Sequence, residues 1–305
     1  MSVNSVREVD SALAVRPTFA HRVSAKLYSN AKLRLRLLIA APLFWLSLVY
    51  VAALLALFVT AFWTMDSFTG EVRVQWNIDN FVQLFTDALY RTVTLRTLGI
   101  ALAVTFIDIL IALPIAFFMA KVASRRMRGI LVISILMPLW ASYLVKAYAW
   151  RSVLSNDGIL QWLLRPLGLD TPGYSLVGAA LTLGYIWLPY VILPIFTGLE
   201  KVPQNILEAS SDLGAKTWST LRLIVFPMLL PAIAAGSIFA FSLTMGDYIS
   251  INIVGGATQM LGNLVYTNVG TANNLPMAAA IAMIPVAIMF IYLTAIRKTG
   301  ALDNL

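Results

Sequence analysis

Asp108, Lys146 and Asp247 are ionisable side chains set in otherwise apolar stretches, and Tyr248 follows the last of them directly. A charge at bilayer depth is costly unless it is protonated, paired or facing water, so each marks a place where a polar solute or partner group could be met. Asp108 and Lys146 stand at similar residue counts from the basic loop between them, which at about 1.5 Å per residue gives them comparable depth. An Asp108–Lys146 ion pair is the expectation. The alternative is that Lys146 snorkels outward while Asp108 meets backbone or hydroxyl donors. Asp247 could attract a cationic solute where bulk water is excluded, with Tyr248 offering a cation-π face; the bland alternative is a capped, solvated turn.

These residues suit binding and passage rather than bond-breaking. The sequence has no Gly-x-x-x-x-Gly-Lys-Ser/Thr phosphate loop, no His-Glu-x-x-His pair and no nucleophile elbow. Cysteine is absent and the one histidine, His21, lies in a polar tail, so neither a disulfide frame nor a metal site is expected. No catalytic residue and no cofactor of the chain itself are expected. Energy for any transport must come from another chain or from an ion gradient.

The polar stretch from Glu208 to Pro227 lies between two long apolar segments. Its first half, 203–213, reads as a short helix: Pro203 suits the first helical position and Gly214 the left-handed residue past the end. Ile206, Leu207, Ala209 and Leu213 would form one apolar face. Such a helix between membrane spans either rests on headgroups or fills a groove in another protein.

The elements that must position these groups follow from composition. Of 305 residues 60% are hydrophobic and only 12% charged, with a mean hydropathy of +0.82, which excludes an ordinary soluble domain. Six apolar runs are long enough to span a bilayer: 37–62, 93–120, 130–154, 175–198, 221–245 and 275–296. Even-spaced alternation is missing, so the expected fold is an all-α integral membrane protein with six transmembrane helices and one short loop helix. Three parts are expected: a basic tail at 1–36, a membrane domain at 37–298 containing the loop 199–220, and a C-terminal tail at 299–305.

Most of the 22 Lys and Arg fall on one side, in the tail (with a basic helix over 25–36 lying on headgroups), after the second span, in the 199–220 loop and at Arg297 and Lys298. By the positive-inside rule both termini and the Glu208 loop are cytoplasmic, and the basic charge is topological rather than a nucleic-acid footprint. Pro42 is expected in the first turn of its helix, and Pro189 and Pro194 to kink or interrupt the fourth span. The outer loop 63–91 holds Trp63, Trp76, Phe81 and Phe85, as interfacial anchors or as the face of an amphipathic helix over 77–89 that docks an external partner. Segment 245–274 is rich in Gly, Asn and Thr, and is expected to re-enter the membrane or shape a vestibule.

The loop also resembles the cytoplasmic signature of bacterial ABC importer permeases, which reads Glu-Ala-Ala, then a spaced Gly, then Ile-x-Leu-Pro. Here it stands as Glu208, Ala209, Ser210, Gly214, Ile224, Phe226 and Pro227, with Ser210 and Phe226 as departures. Gly246, Asp247, Tyr248, Gly255, Gly256 and the run from Ala272 to Asn274 are similar to the spermidine and putrescine branch. The resemblance implies a type I importer permease of a bacterial inner membrane, with a second permease that is commonly a different chain. It also implies an ATPase dimer binding ATP and Mg, and a periplasmic or lipid-anchored solute-binding protein. Glu208, Ala209, Ser210, Leu213, Gly214, Ile224 and Pro227 would couple to the ATPase, and Asp247, Tyr248, Asp108 and Lys146 are candidates for the path. An ion-gradient-driven carrier and a non-transporting scaffold are the other readings.

Overall fold

The computed structural model describes residues 28, 31–66 and 69–297. His21, the tail before residue 28 and the C-terminal tail at 299–305 lie outside the described residues, as does most of 25–30 in the expected headgroup helix. The chain divides into two compact units, 1–57 and 58–305.

Helix α1 (Ala31–Leu46) passes through a π turn at Ser47–Val51 into α2 (Ala52–Thr60), and residues 34–60 form one apolar helix long enough to cross a bilayer. Pro42 stands well inside α1 rather than in a first turn. Lys, Leu and Arg are good helix formers, and the basic residues before the apolar run extend the helix backwards past the expected start.

In the second unit a small hairpin comes first, β1 (Thr64–Met65) antiparallel to β2 (Val72–Arg73), with an Arg73–Asp66 ion pair beside it. The all-α expectation omitted this pair of short strands. The outer-loop helix is shorter than 77–89: α3 (Asp79–Thr86) ends where Asp87 turns extended to cap α4 (Ala88–Phe117), its carboxylate accepting from the Leu89 amide at 2.8 Å. A π turn, Phe118–Val122, completes that span.

The expected third span, 130–154, is broken. Helix α5 (Arg125–Trp140) and α6 (Tyr143–Leu154) meet at a bend of 97°. Pro138 removes a donor from the last turn of α5, and Ala141 and Ser142 then adopt extended backbone. A short α7 (Ile159–Leu164) precedes α8 (Leu176–Glu200), whose N-terminus is capped by the Ser175 hydroxyl accepting from the Gly178 amide. Helix α8 continues through Pro189 and Pro194 without ending. Flanking helices can shelter the carbonyls of Tyr185 and Tyr190, which these prolines leave without an amide donor, in a membrane protein.

Helices α9 (Gln204–Asp212) and α10 (Thr217–Thr220) then lead into a π turn at Leu221–Val225 and α11 (Phe226–Met245). The widened turn sits just before Pro227, whose ring would otherwise press on the preceding turn. Segment 245–274 is not structureless: it holds α12 (Ile249–Val254), packed on α6, and α13 (Leu261–Gly270), packed on α14 (Leu275–Arg297).

The core lies along α8, between α4 and α11, with Leu183, Ile186, Val191 and Ile195 fully buried. Lipid tails are as apolar as these side chains, so close backbone approach and dispersion must hold the helices together. Glycine permits that approach: a Cβ added at Gly236 would lie 3.1 Å from the Val191 backbone, and one at Gly198 would lie 2.6 Å from the Ala232 Cβ. Gly236→Leu should therefore destabilise the chain by about 1–3 kcal/mol through overpacking. Gly99→Leu, where nothing lies within 4 Å, should change little. Thermal loss of the monodisperse species in detergent measures both, and equal midpoints would refute this packing account.

Candidate functional site

The break between α5 and α6 puts Tyr143 at the first turn of α6, facing the loop after α11. Asp247 sits there, 7% exposed. Its carboxylate accepts from the Ser250 amide at 2.8 Å and from the Tyr143 hydroxyl, which also meets the Ser250 hydroxyl at 2.6 Å. The turn is thus capped, but it is buried rather than solvated.

Aromatic rings surround this group. Tyr143 stacks on Trp187 of α8 at 5.7 Å, Trp187 meets Tyr190 at 5.9 Å, and Tyr190 meets Phe239 of α11 at 6.2 Å. Tyr248 stacks on Tyr266 of α13 at 5.0 Å. A cavity of about 320 Å³ is lined by Tyr143, Trp187, Ser242, Gly246, Asp247 and Tyr248. The Trp187 indole N–H is buried and has no partner among the described residues. One carboxylate and several π faces are groups that attract an organic cation, while the spare indole N–H offers a donor to an acceptor atom. Neither Tyr143 nor Trp187 was singled out from the sequence; the break that aims Tyr143 at Asp247 leaves little trace in hydropathy.

Asp108 and Lys146 do not line this cavity, and they do not pair. Among the described residues the ion pairs are Arg73–Asp66 and Arg128–Glu200. Asp108 is 1% exposed on α4. Its Oδ1 lies where a Cβ at Gly184 would come within 3.1 Å, and its Oδ2 has no hydrogen-bond partner among the described residues. Equal depth was the basis for expecting the pair, but depth does not fix direction around a helix. The 97° bend also takes Lys146 out of the axis on which that depth was counted.

At the other polar end, Gly214 has φ +74°, the left-handed conformation expected of it, and its amide donates to Ser211 at 2.9 Å. Pro203 precedes the helix as its cap residue, in extended backbone, rather than occupying the first helical position. Ile206 and Leu207 face inward and Ser210 is buried, its hydroxyl 2.8 Å from that of Thr220, so the departure from alanine ties α9 to α10. The expected single apolar face is split: Ala209 is exposed and Leu213 is 88% exposed. Glu208 and Pro227 are also exposed, Ile224 is half-buried, and Trp218 and Leu223 stand out from the surface.

Behind this surface is a clamp that sequence reasoning missed. Arg128 donates to the carbonyls of Met119 and Ala120 at 3.1 and 2.8 Å and to Glu200 at 3.0 Å. Lys121 donates to the Val202 carbonyl at 2.8 Å. The end of the α4 span, the start of α5 and the chain entering α9 are thereby held as one piece.

Comparison with known proteins bears on both places. Residues 101–298 match the family described as binding-protein-dependent transport system inner membrane component. The chain is 41% identical over 299 residues to the inner membrane ABC transporter permease protein YdcU of Escherichia coli (strain K12), covering 93% of this chain and 95% of that one. It is 30% identical over 265 residues to the spermidine/putrescine transport system permease protein PotB of the same organism, covering 85% and 95%. In fold it is similar to a chain of a bacterial ABC transporter involved in the import of the acidic polysaccharide alginate, with a TM-score of 0.67 at 15% identity over 92% of this chain and 99% of that chain. The chain therefore belongs to the binding-protein-dependent ABC importer permeases of the inner membrane, with the type I importer fold, and is a transport subunit rather than an enzyme, ATP being hydrolysed by a separate ATPase.

Proposed function

We propose that this permease forms half of the translocation path for a small organic cation of the polyamine class. The observation that carries the reading is the cavity where the buried Asp247 carboxylate stands among Tyr143, Trp187 and Tyr248. A protonated amine gains from both the carboxylate and the π faces once water is excluded. Similarity to the spermidine/putrescine permease PotB supports the same class.

In this reading both termini and the 199–220 loop are cytoplasmic. The exposed surface of α9, with Glu208, Ala209, Leu213 and Gly214, rests in a groove of an ATPase dimer that binds ATP and Mg, while Ser210, Ile224 and Pro227 fix the loop to α11. The Arg128 clamp passes loop movement into the spans, and a second permease, a different chain, closes the path. A periplasmic or lipid-anchored binding protein delivers the solute. Asp108 and Lys146 act away from the Asp247 cavity.

The test is uptake of labelled spermidine into liposomes holding the whole transporter, with the cognate binding protein outside and ATP inside. ATP-dependent uptake that survives an uncoupler and is outcompeted by putrescine is the expected result. Uptake that collapses with the uncoupler at constant ATP would favour a gradient-driven carrier, and absence of any solute flux a scaffold. Uptake of an anion but not of spermidine would refute the cation reading.

A further inference from the structure

Beside α3 the protein carries two apolar grooves away from the Asp247 cavity. One, of about 470 Å³, runs between α3, the first turns of α4 and the face of α14, with Leu84, Leu95, Met283, Ile284 and Ile288 in its walls. Its one charged wall residue is Arg91, in the first turn of α4. The other, of about 500 Å³, lies on the opposite flank of α3 against Phe58 and Phe62. Phe81 and Phe85 line both grooves, so the two meet at a ridge of aromatic rings.

The Arg91 guanidinium has neither an ion-pair nor a hydrogen-bond partner among the described residues. Its natural partner one turn earlier, Asp87, is already engaged as the cap of α4, accepting from the Leu89 amide. Arg91 is exposed at the point where polar loop gives way to apolar span, the level at which headgroup phosphates lie. We infer that this is a binding site for an anionic phospholipid of the surrounding bilayer, one acyl chain in the α3–α14 groove and the phosphate at Arg91. The groove beyond the Phe81–Phe85 ridge gives room for the second chain. A soluble ligand would meet an apolar trough with one charge at its mouth, whereas a phospholipid has that same distribution of charge and hydrocarbon.

The experiment is native mass spectrometry of the assembled transporter, purified from membranes and exchanged with phosphatidylglycerol or with phosphatidylcholine of matched chains. Wild type should retain phosphatidylglycerol over phosphatidylcholine, and Arg91→Gln should reduce that preference about fivefold, the ratio one basic contact near a lipid surface supplies. Ala287→Trp, which adds bulk in the groove and leaves the Arg91 charge in place, should lower retention of both lipids. Each variant is scored only on material eluting at the wild-type position. A preference that survives Arg91→Gln, no preference in wild type, or unchanged retention in Ala287→Trp would overturn the assignment. So would efficient cross-linking from a photoreactive residue at 287 to the second permease, which would make the groove a protein interface.

Discussion

Gly214→Pro is expected to abolish solute uptake while leaving the chain inserted and folded. Position 214 has φ +74°, and proline is locked near −65°. The substitution also removes the amide that donates to Ser211 at the end of α9. Either effect forces the chain after Leu213 onto a new course, and with it the exposed Leu213 and Trp218. The damage should stay local, because nothing lies within 4 Å of a Cβ built at this glycine. The core along α8 has no share in the contact. Gly214→Ala meets the left-handed penalty alone, roughly 1–2 kcal/mol, and keeps its amide, so it should reduce uptake without eliminating it. Uptake, retention of the ATPase on purification and elution position should be measured together. The expected pattern is normal elution, lost uptake and weakened ATPase retention in the proline variant. Normal uptake by Gly214→Pro would remove the loop from the mechanism.

The loop was legible in the sequence because its punctuation is local. Pro203 and Gly214 bracket α9 through backbone restrictions that act on single residues, and the apolar runs around it need only a count of residues to be seen as spans. Direction around a helix axis is not encoded so simply. Depth counting matched Asp108 with Lys146, yet Asp108 turns toward Gly184 of α8 and the bend at Ala141–Ser142 redirects Lys146. Leu213 fitted the helical period of an inward face, but α9 ends at Asp212 and Leu213 follows the chain outward instead. The contacts that build the Asp247 cavity join residues far apart in the chain, Tyr143 with Asp247 and Trp187 with Tyr143, and the Arg128–Glu200 clamp is of the same kind. No local pattern predicts such pairs; they appear only once α8 has α4 and α11 packed against it.

Asp247→Asn separates the two roles that the structure gives this residue. As a cap, Asp247 holds the Ser250 amide at 2.8 Å, and asparagine caps helices about as well as aspartate. It is also nearly the same size, so the contact with Tyr143 and the packing of α12 on α6 should survive. Only the negative charge goes. If that charge draws an amine into the cavity, the loss is one of attraction in a site where water does not screen it, and each 1.4 kcal/mol is about a factor of ten. Uptake of a cationic solute should therefore fall by about tenfold or more, while ATP hydrolysis stimulated by loaded binding protein persists, since the loop and the clamp are untouched. Tyr143→Phe removes the hydroxyl that meets both Asp247 and Ser250 but keeps the charge and the ring over Trp187, so its loss should be smaller, up to roughly tenfold. Trp187→Leu removes a π face but no charge and should fall between the two. An Asp247→Asn transporter that elutes as wild type and imports at the wild-type rate would leave Asp247 as a cap alone, and the cation reading would lose the observation on which it stands.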